Sequence, residues 1–153
     1  MFVLIVGAGR VGSNVARSAL AAGHEVSVLD EDPLSHERLD SGMETSWEDA
    51  GGLFTVGHAI EFEALEEAGI GRADTFIAST DGDNTNITIA QIAQRRFEVP
   101  RVIARVLDPR RASWYAEQGV QTVCPTAIAI DQLERAALGD AEAAVGRPGE
   151  EGA

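Results

Sequence analysis

Apolar positions in this chain come in blocks whose period changes from block to block. Phe2-Val3-Leu4-Ile5-Val6 is an unbroken apolar run, the pattern of a strand buried on both faces. After a glycine-rich break, Val11, Val15, Ala19 and Ala22 recur at three- and four-residue steps, the period of a helix, which Gly23 ends. Glu25-Val26-Ser27-Val28-Leu29 is a second strand closing on Asp30, and Asp32-Pro33 opens a short helix to about Leu39. Residues 40–52 are polar and glycine-bounded and read as a long loop, in which Trp47 either packs back as an anchor or marks a contact, packing being the favoured reading. Leu53 to Gly57 is the third strand, followed by a helix from Glu61 to Ala68 with Phe62, Leu65 and Ala68 inward and a stop at Gly69. Asp74 to Ser79 is the fourth strand, running into Thr80-Asp81-Gly82-Asp83-Asn84 and a long helix carrying Ile87, Ile89, Ala90, Ile92, Ala93 and Phe97. The fifth strand spans Arg101 to Val106, a helix runs from Pro109 to Gln118, and the sixth strand spans Val120 to Cys124. A last helix covers Ala127 to Leu138, and an Ala/Glu/Gly-rich tail follows from Gly139, expected to be flexible and to be disordered over Gly146 to Ala153.

Six strands alternating with helices predict an α/β fold: a Rossmann-type, doubly wound, six-stranded parallel sheet of order 3-2-1-4-5-6. In such sheets a ligand lies at the carboxyl ends of the strands, where the loops after Val6, Asp30, Val56, Ser79 and Arg105 converge.

The first of these loops has its own chemistry. Gly7-Ala8-Gly9-Arg10-Val11-Gly12 is a G-x-G-x-x-G between a strand and a helix, and Asp30 ends the next strand. That is the dinucleotide fingerprint in its required context. Gly7 allows the sharp turn, Gly9 the approach of a pyrophosphate, and Gly12 close helix–strand packing. The helix start offers free N–H groups to phosphates. Asp30 accepts hydrogen bonds from ribose hydroxyls and repels a 2′-phosphate, which selects NAD(H) or ATP/ADP over NADP(H).

Composition narrows the chemistry further. The chain has 153 residues and a net charge of −13, which argues against nucleic acid and anionic membrane surfaces as partners. One cysteine, Cys124, gives no disulfide framework, and Met1 leads straight into an apolar strand, so a cytoplasmic protein is expected. Cys124 itself reads as a small core residue. All twelve basic residues are arginine, which removes every mechanism that needs lysine.

These pieces together resemble the N-terminal nucleotide-binding (TrkA-N) domain of RCK-type regulators of potassium channels and Trk/Ktr potassium transporters. The resemblance covers residues 1–138. It rests on the glycine motif, Gly23-His24-Glu25-Val26 leading to Asp30, Ala64 to Ile70, Ala73-Asp74, Thr80 to Ile87, Pro100 to Val106, and Gly119-Val120 leading to Cys124-Pro125-Thr126. It implies a non-enzymatic regulatory domain whose partner is a membrane-embedded potassium transporter or channel subunit. It places the protein at the inner face of the membrane through that partner. It also implies a homo-oligomer, because the family's last helix crosses to a partner subunit, and here that helix carries Ile128, Ile130, Leu133, Ala136, Ala137 and Leu138. The bland alternative is a helix packed on its own sheet. Many such regulators carry a second, C-terminal RCK domain; none is read in these 153 residues, which leaves a short regulator, one that pairs with another subunit, or a piece of a longer chain.

Site residues carry over position by position. Gly7, Gly9, Val11 and Gly12 border the phosphates, and Arg10 reaches a distal phosphate or is an exposed loop arginine. Asp30, with Glu31 beside it, holds the ribose. Gly57-His58-Ala59 lies near the adenine, where His58 departs from the family's usual acid or amide; it stacks on the base, donates to it, or simply replaces the acid at the surface. Ser79, Thr80 and Asp81 lie over the middle of the ligand, with Asp81 or Asp83 alternatively capping the next helix. Arg105 pairs with a phosphate or with Asp81. Thr126 replaces a glutamate that some members use in metal–nucleotide binding, so no metal site is expected. The competing reading is a small NAD-dependent oxidoreductase, against which stand the short length and the lack of a His-Asp or Tyr-Lys constellation.

Overall fold

The computed structural model describes residues 1–139; the expected disordered tail lies outside the described residues apart from Gly139. The elements follow in the order β1 (Phe2–Val6), α1 (Arg10–Ala21), β2 (Glu25–Asp30), a 3-10 turn (Pro33–Ser35), α2 (His36–Asp40) and β3 (Leu53–Val56). Then come α3 (Phe62–Glu67), a second 3-10 turn (Ile70–Arg72), β4 (Thr75–Ala78), α4 (Asp83–Arg95), β5 (Arg101–Arg105), α5 (Pro109–Glu117), β6 (Gln121–Val123) and α6 (Pro125–Leu138). The strands form one sheet of order β3-β2-β1-β4-β5-β6, with every neighbouring pair parallel. The expected Rossmann-type order is therefore the observed one.

β1 is central and buried along its whole length, and its side chains alternate between two cores. Phe2, Leu4 and Val6 join Leu65, Phe76, Ile89 and Val102 on the α3/α4 face. Val3 and Ile5 join Ala16, Val26, Val28, Leu39 and Trp47 on the α1/α2 face. Because both faces are covered, the run reads as continuous apolar rather than alternating.

Trp47 is the anchor of the 40–52 loop. It is fully buried, its indole N–H donates to the Leu53 carbonyl at 3.0 Å, and its backbone N–H donates to Asp40 Oδ1 at 2.8 Å. Gly52 lies flat against it: a Cβ there would stand 2.1 Å from the indole.

Three helices differ from expectation. On α3, Phe62 departs from its expected inward position: it is 43% exposed and meets the Phe97 ring edge-on at 6.0 Å between centroids. On α1, Val11 and Val15 face outward, and the buried residues are Gly12, Ser13 and Ala16. The reason is spacing: a Cβ on Gly12 would fall 1.8 Å from the Gly7 carbonyl oxygen, so only small side chains fit between α1 and the strands. On α6 the start moves two residues earlier, to Pro125. Cys124 caps it, its sulfur accepting the Ala127 N–H at 3.4 Å, while also packing half-buried against the core. No residue of α6 is fully buried, and its large apolar side chains stay exposed. Leu133 is 68% exposed and Ile128 54%.

Candidate nucleotide site

The carboxyl ends of β1, β2, β4 and β5 open on two adjoining cavities of about 620 and 240 Å³ that share Gly7, Asp30, Glu31, Thr80 and Asp81. The larger also takes Gly9, Arg10, Val11, Ser79 and Arg105 into its wall. The smaller extends under Gly57 and Ala59 at the end of β3. Twelve of the fourteen residues singled out from the sequence thus line one crevice. The other two are Gly12, which sits behind the wall against the Gly7 carbonyl, and His58, which lines neither cavity.

The glycine turn is shaped by its neighbours. Gly7 has φ +99°, and a Cβ there would meet the Ser79 carbonyl oxygen at 2.5 Å, so the loops after β1 and β4 touch directly. Gly9 is the opposite case: a Cβ would meet nothing within 4 Å. Its hydrogen faces open crevice, and no side chain caps the helix that starts after it, leaving the first-turn N–H groups of α1 available.

Asp30 ties this turn to β2. Its Oδ2 accepts the Ala8 N–H at 2.7 Å and its Oδ1 accepts the Asp32 N–H at 2.9 Å. Each carboxylate oxygen keeps a second lone pair for a further donor. Glu31 beside it bonds His58 Nδ1 at 2.9 Å, with both side chains largely exposed. His58 therefore sits at the rim as the partner of an acid.

The opposite wall is held by a residue the sequence reading passed over. Asn86, on α4 and fully buried, accepts the Thr80 N–H at 2.9 Å and the Thr80 hydroxyl at 2.7 Å. Its amide donates to the Thr80 and Arg105 carbonyls at 3.0 and 2.9 Å. Neither aspartate of this loop caps α4 through its side chain. Gly82 is the cap residue, and Asp83 reaches across to accept the Leu107 and Asp108 N–H groups at 2.8 and 3.1 Å. Asp81 remains exposed over the crevice, 4.0 Å from Arg105.

Arg105 is the most informative cation. Its side chain is 18% exposed, its contact with Asp81 is long, and its Nε is buried with no hydrogen-bond partner. A buried guanidinium N–H without a partner is costly, and an anionic group in the crevice would satisfy it. Arg38 is a second cation that sequence reasoning missed. It enters the larger cavity from α2, where Arg17 holds the Arg38 carbonyl from α1. Ser35 and Asp32 line the same side, and Gly82 and Thr85 the smaller cavity. Arginines at Arg10, Arg38 and Arg105 thus face acids at Asp30, Glu31, Asp32 and Asp81 around one cavity, a division suited to a ligand with an anionic part and a hydroxyl-bearing part.

A model of the TrkA-N domain family matches residues 3–126. The Trk system potassium uptake protein TrkA of Streptomyces coelicolor is 41% identical over 138 residues, covering 90% of this chain and 59% of that protein. The Mycobacterium tuberculosis TrkA is 31% identical over 147 residues, covering 92% of this chain and 61% of that protein. The chain thus spans about three-fifths of the length of these relatives. Among solved structures, the C-terminal domain of Shewanella denitrificans Kef in its AMP-bound form superposes with a TM-score of 0.71 at 26% identity, covering 90% of this chain and 80% of that one. The TrkA-N domain of the Escherichia coli inner membrane protein YbaL shares the fold, with a TM-score of 0.71 at 23% identity over 87% of this chain and 94% of its own. On the match over residues 3–126, the chain belongs to the TrkA-N family.

Proposed function

We propose that residues 1–138 form a regulatory nucleotide-binding unit for a potassium transporter or channel of the Trk/Ktr type, acting from the cytosolic side of the membrane without catalysing a reaction. The ligand is an adenosine nucleotide without a 2′-phosphate, NAD(H) or ATP/ADP. The observation that carries the reading is the crevice itself: an open space at Gly9, an uncapped helix start and the partnerless Arg105 Nε face one cavity with Asp30. In this reading the phosphates lie over Gly7, Gly9, Val11 and the N-terminus of α1, with Gly12 behind them allowing the close approach. Arg10, Arg38 and Arg105 surround the phosphates. Asp30 takes the ribose and, with Glu31 and Asp32, repels a 2′-phosphate. Gly57, His58 and Ala59 border the adenine side, and Ser79, Thr80 and Asp81 cover the middle. The relatives named for potassium uptake and the AMP-bound neighbour support the same assignment.

The exposed apolar residues of α6 support self-association, since large apolar side chains left open on one element mark a candidate interface. The unit therefore acts as a homo-oligomer attached to its membrane partner.

A thermal-shift panel with NAD, NADH, NADP, ATP and ADP tests the ligand. At about a hundred times its dissociation constant a ligand adds roughly 2.7 kcal/mol, or about 5–10 °C for a domain of this size. The expected result is a shift with an NAD or adenine-nucleotide ligand and none with NADP. No shift with any of them overturns the reading.

A further inference from the structure

We propose that His36, Asp40 and Glu48 form a binding site for one divalent transition-metal ion of the zinc class, which fastens α2 to the loop before β3. The three side chains each offer one ligand atom, and these atoms lie within 4.8 Å of one another. None of the three lines the nucleotide crevice. His36 and Asp40 stand four apart on α2 and so share a face, and Glu48 comes from the following loop.

The spacing suits the ion. His36 Nδ1 and Asp40 Oδ2 are 3.3 Å apart. Two ligands at about 2.0–2.1 Å from a tetrahedral zinc are separated by about 3.3–3.4 Å. Glu48 now meets the other ring nitrogen, with Oε1 2.5 Å from Nε2, and its exposed side chain has the reach to turn onto the ion. Water completes the coordination.

Both inner ligands are aimed by buried structure. Asp40 Oδ1 is held by the Trp47 backbone N–H at 2.8 Å, which leaves Oδ2 for the ion. The edge of the Phe54 ring packs on the imidazole at 5.2 Å between centroids, which fixes the ring plane. Such outer contacts are what orient metal ligands.

The donor set is mixed: one imidazole and two carboxylates lie within reach of a single ion. No arginine among the described residues forms an ion pair with Asp40 or Glu48. One imidazole with two carboxylates favours zinc or a neighbouring first-row ion over calcium or magnesium, which prefer all-oxygen sites. The opposite side of α2 presents Arg38 to the crevice, so the ion would steady that wall. The site does not depend on which nucleotide binds, or on whether one does.

The test is a calorimetric titration of tag-free, chelator-stripped protein with Zn²⁺, repeated with Co²⁺ followed by visible absorption. Expected is one equivalent bound in the wild type and an affinity lowered at least about tenfold in Glu48→Gln and in His36→Gln. His58→Ala, a change in the nucleotide rim, should leave Zn²⁺ binding unaltered. Melting in chelator verifies that each variant is folded; Glu48→Gln, at an exposed position, decides alone if His36→Gln does not fold. No Zn²⁺ binding by the wild type, or unchanged affinity in folded Glu48→Gln, overturns the proposal.

Discussion

α1 and α6 both carry apolar residues and make opposite use of them. α1 buries small ones, Gly12, Ser13 and Ala16, and leaves Val11 and Val15 outside. α6 buries nothing and exposes Ile128, Ile130, Leu133 and Leu138. The first helix has spent its packing within the chain, since its distance from the strands is set by Gly12 against a carbonyl. The last helix holds exposed apolar surface, each Å² of which would gain roughly 25 cal/mol if another surface covered it. Size, rather than apolarity alone, separates a helix that packs closely within the chain from one that leaves its apolar side chains exposed.

The sharpest way to break this contrast is Gly12→Val. Its side chain would collide with backbone that has no room to yield, so a loss of about 3 kcal/mol or more is expected in urea unfolding. A variant of wild-type stability would show that α1 is not held by close approach. Three residues earlier the same change should act differently. Gly9→Val meets open space, so the melting point should stay within a few degrees while the nucleotide shift disappears. Retained nucleotide shifts in that variant would count heavily against the crevice as the ligand site. Asp30→Ala removes an acceptor of two backbone N–H groups and is expected to weaken nucleotide binding by about 1–3 kcal/mol, read by calorimetry. Unchanged affinity would take Asp30 out of the ligand contacts. Leu133→Asp should change the stability of the single chain least, by about 0.5 kcal/mol or less, because the side chain is exposed. Light scattering should nevertheless report a smaller particle; an unchanged mass would assign self-association to some other surface.

Much of the architecture was legible because its signals are local. Apolar runs, glycine stops and the spacing from Gly7 to Asp30 are contained in short stretches, and the sheet order follows from alternating strands and helices. Element ends were displaced by one or two residues where side chains decide them, as at Cys124. The period of Val11 and Val15 marks a helix but not the side it buries, which depends on how close the sheet lies, and Phe62, read as inward on α3, is 43% exposed. The 3-10 turn at Ile70–Arg72 follows Gly69 and carries no apolar period. Arg38 was invisible for a different reason: a five-residue helix has no reliable phase, and Arg38 reaches the crevice only because α2 leans on α1 through Arg17. Asn86 was read as part of a motif, but its four bonds join residues 6 and 19 positions away, which no local pattern encodes.

That single amide has a mechanical consequence. Asn86 grips the end of β4 at Thr80 and the end of β5 at Arg105, and it sits on a helix anchored in the larger core. The two strand ends are therefore clamped together, while Glu31 and His58 lie on the other side of the opening and are joined through their side chains. One wall of the crevice is thus set as a unit, so a ligand that touches Thr80 meets an Arg105 whose backbone is already fixed by the same side chain.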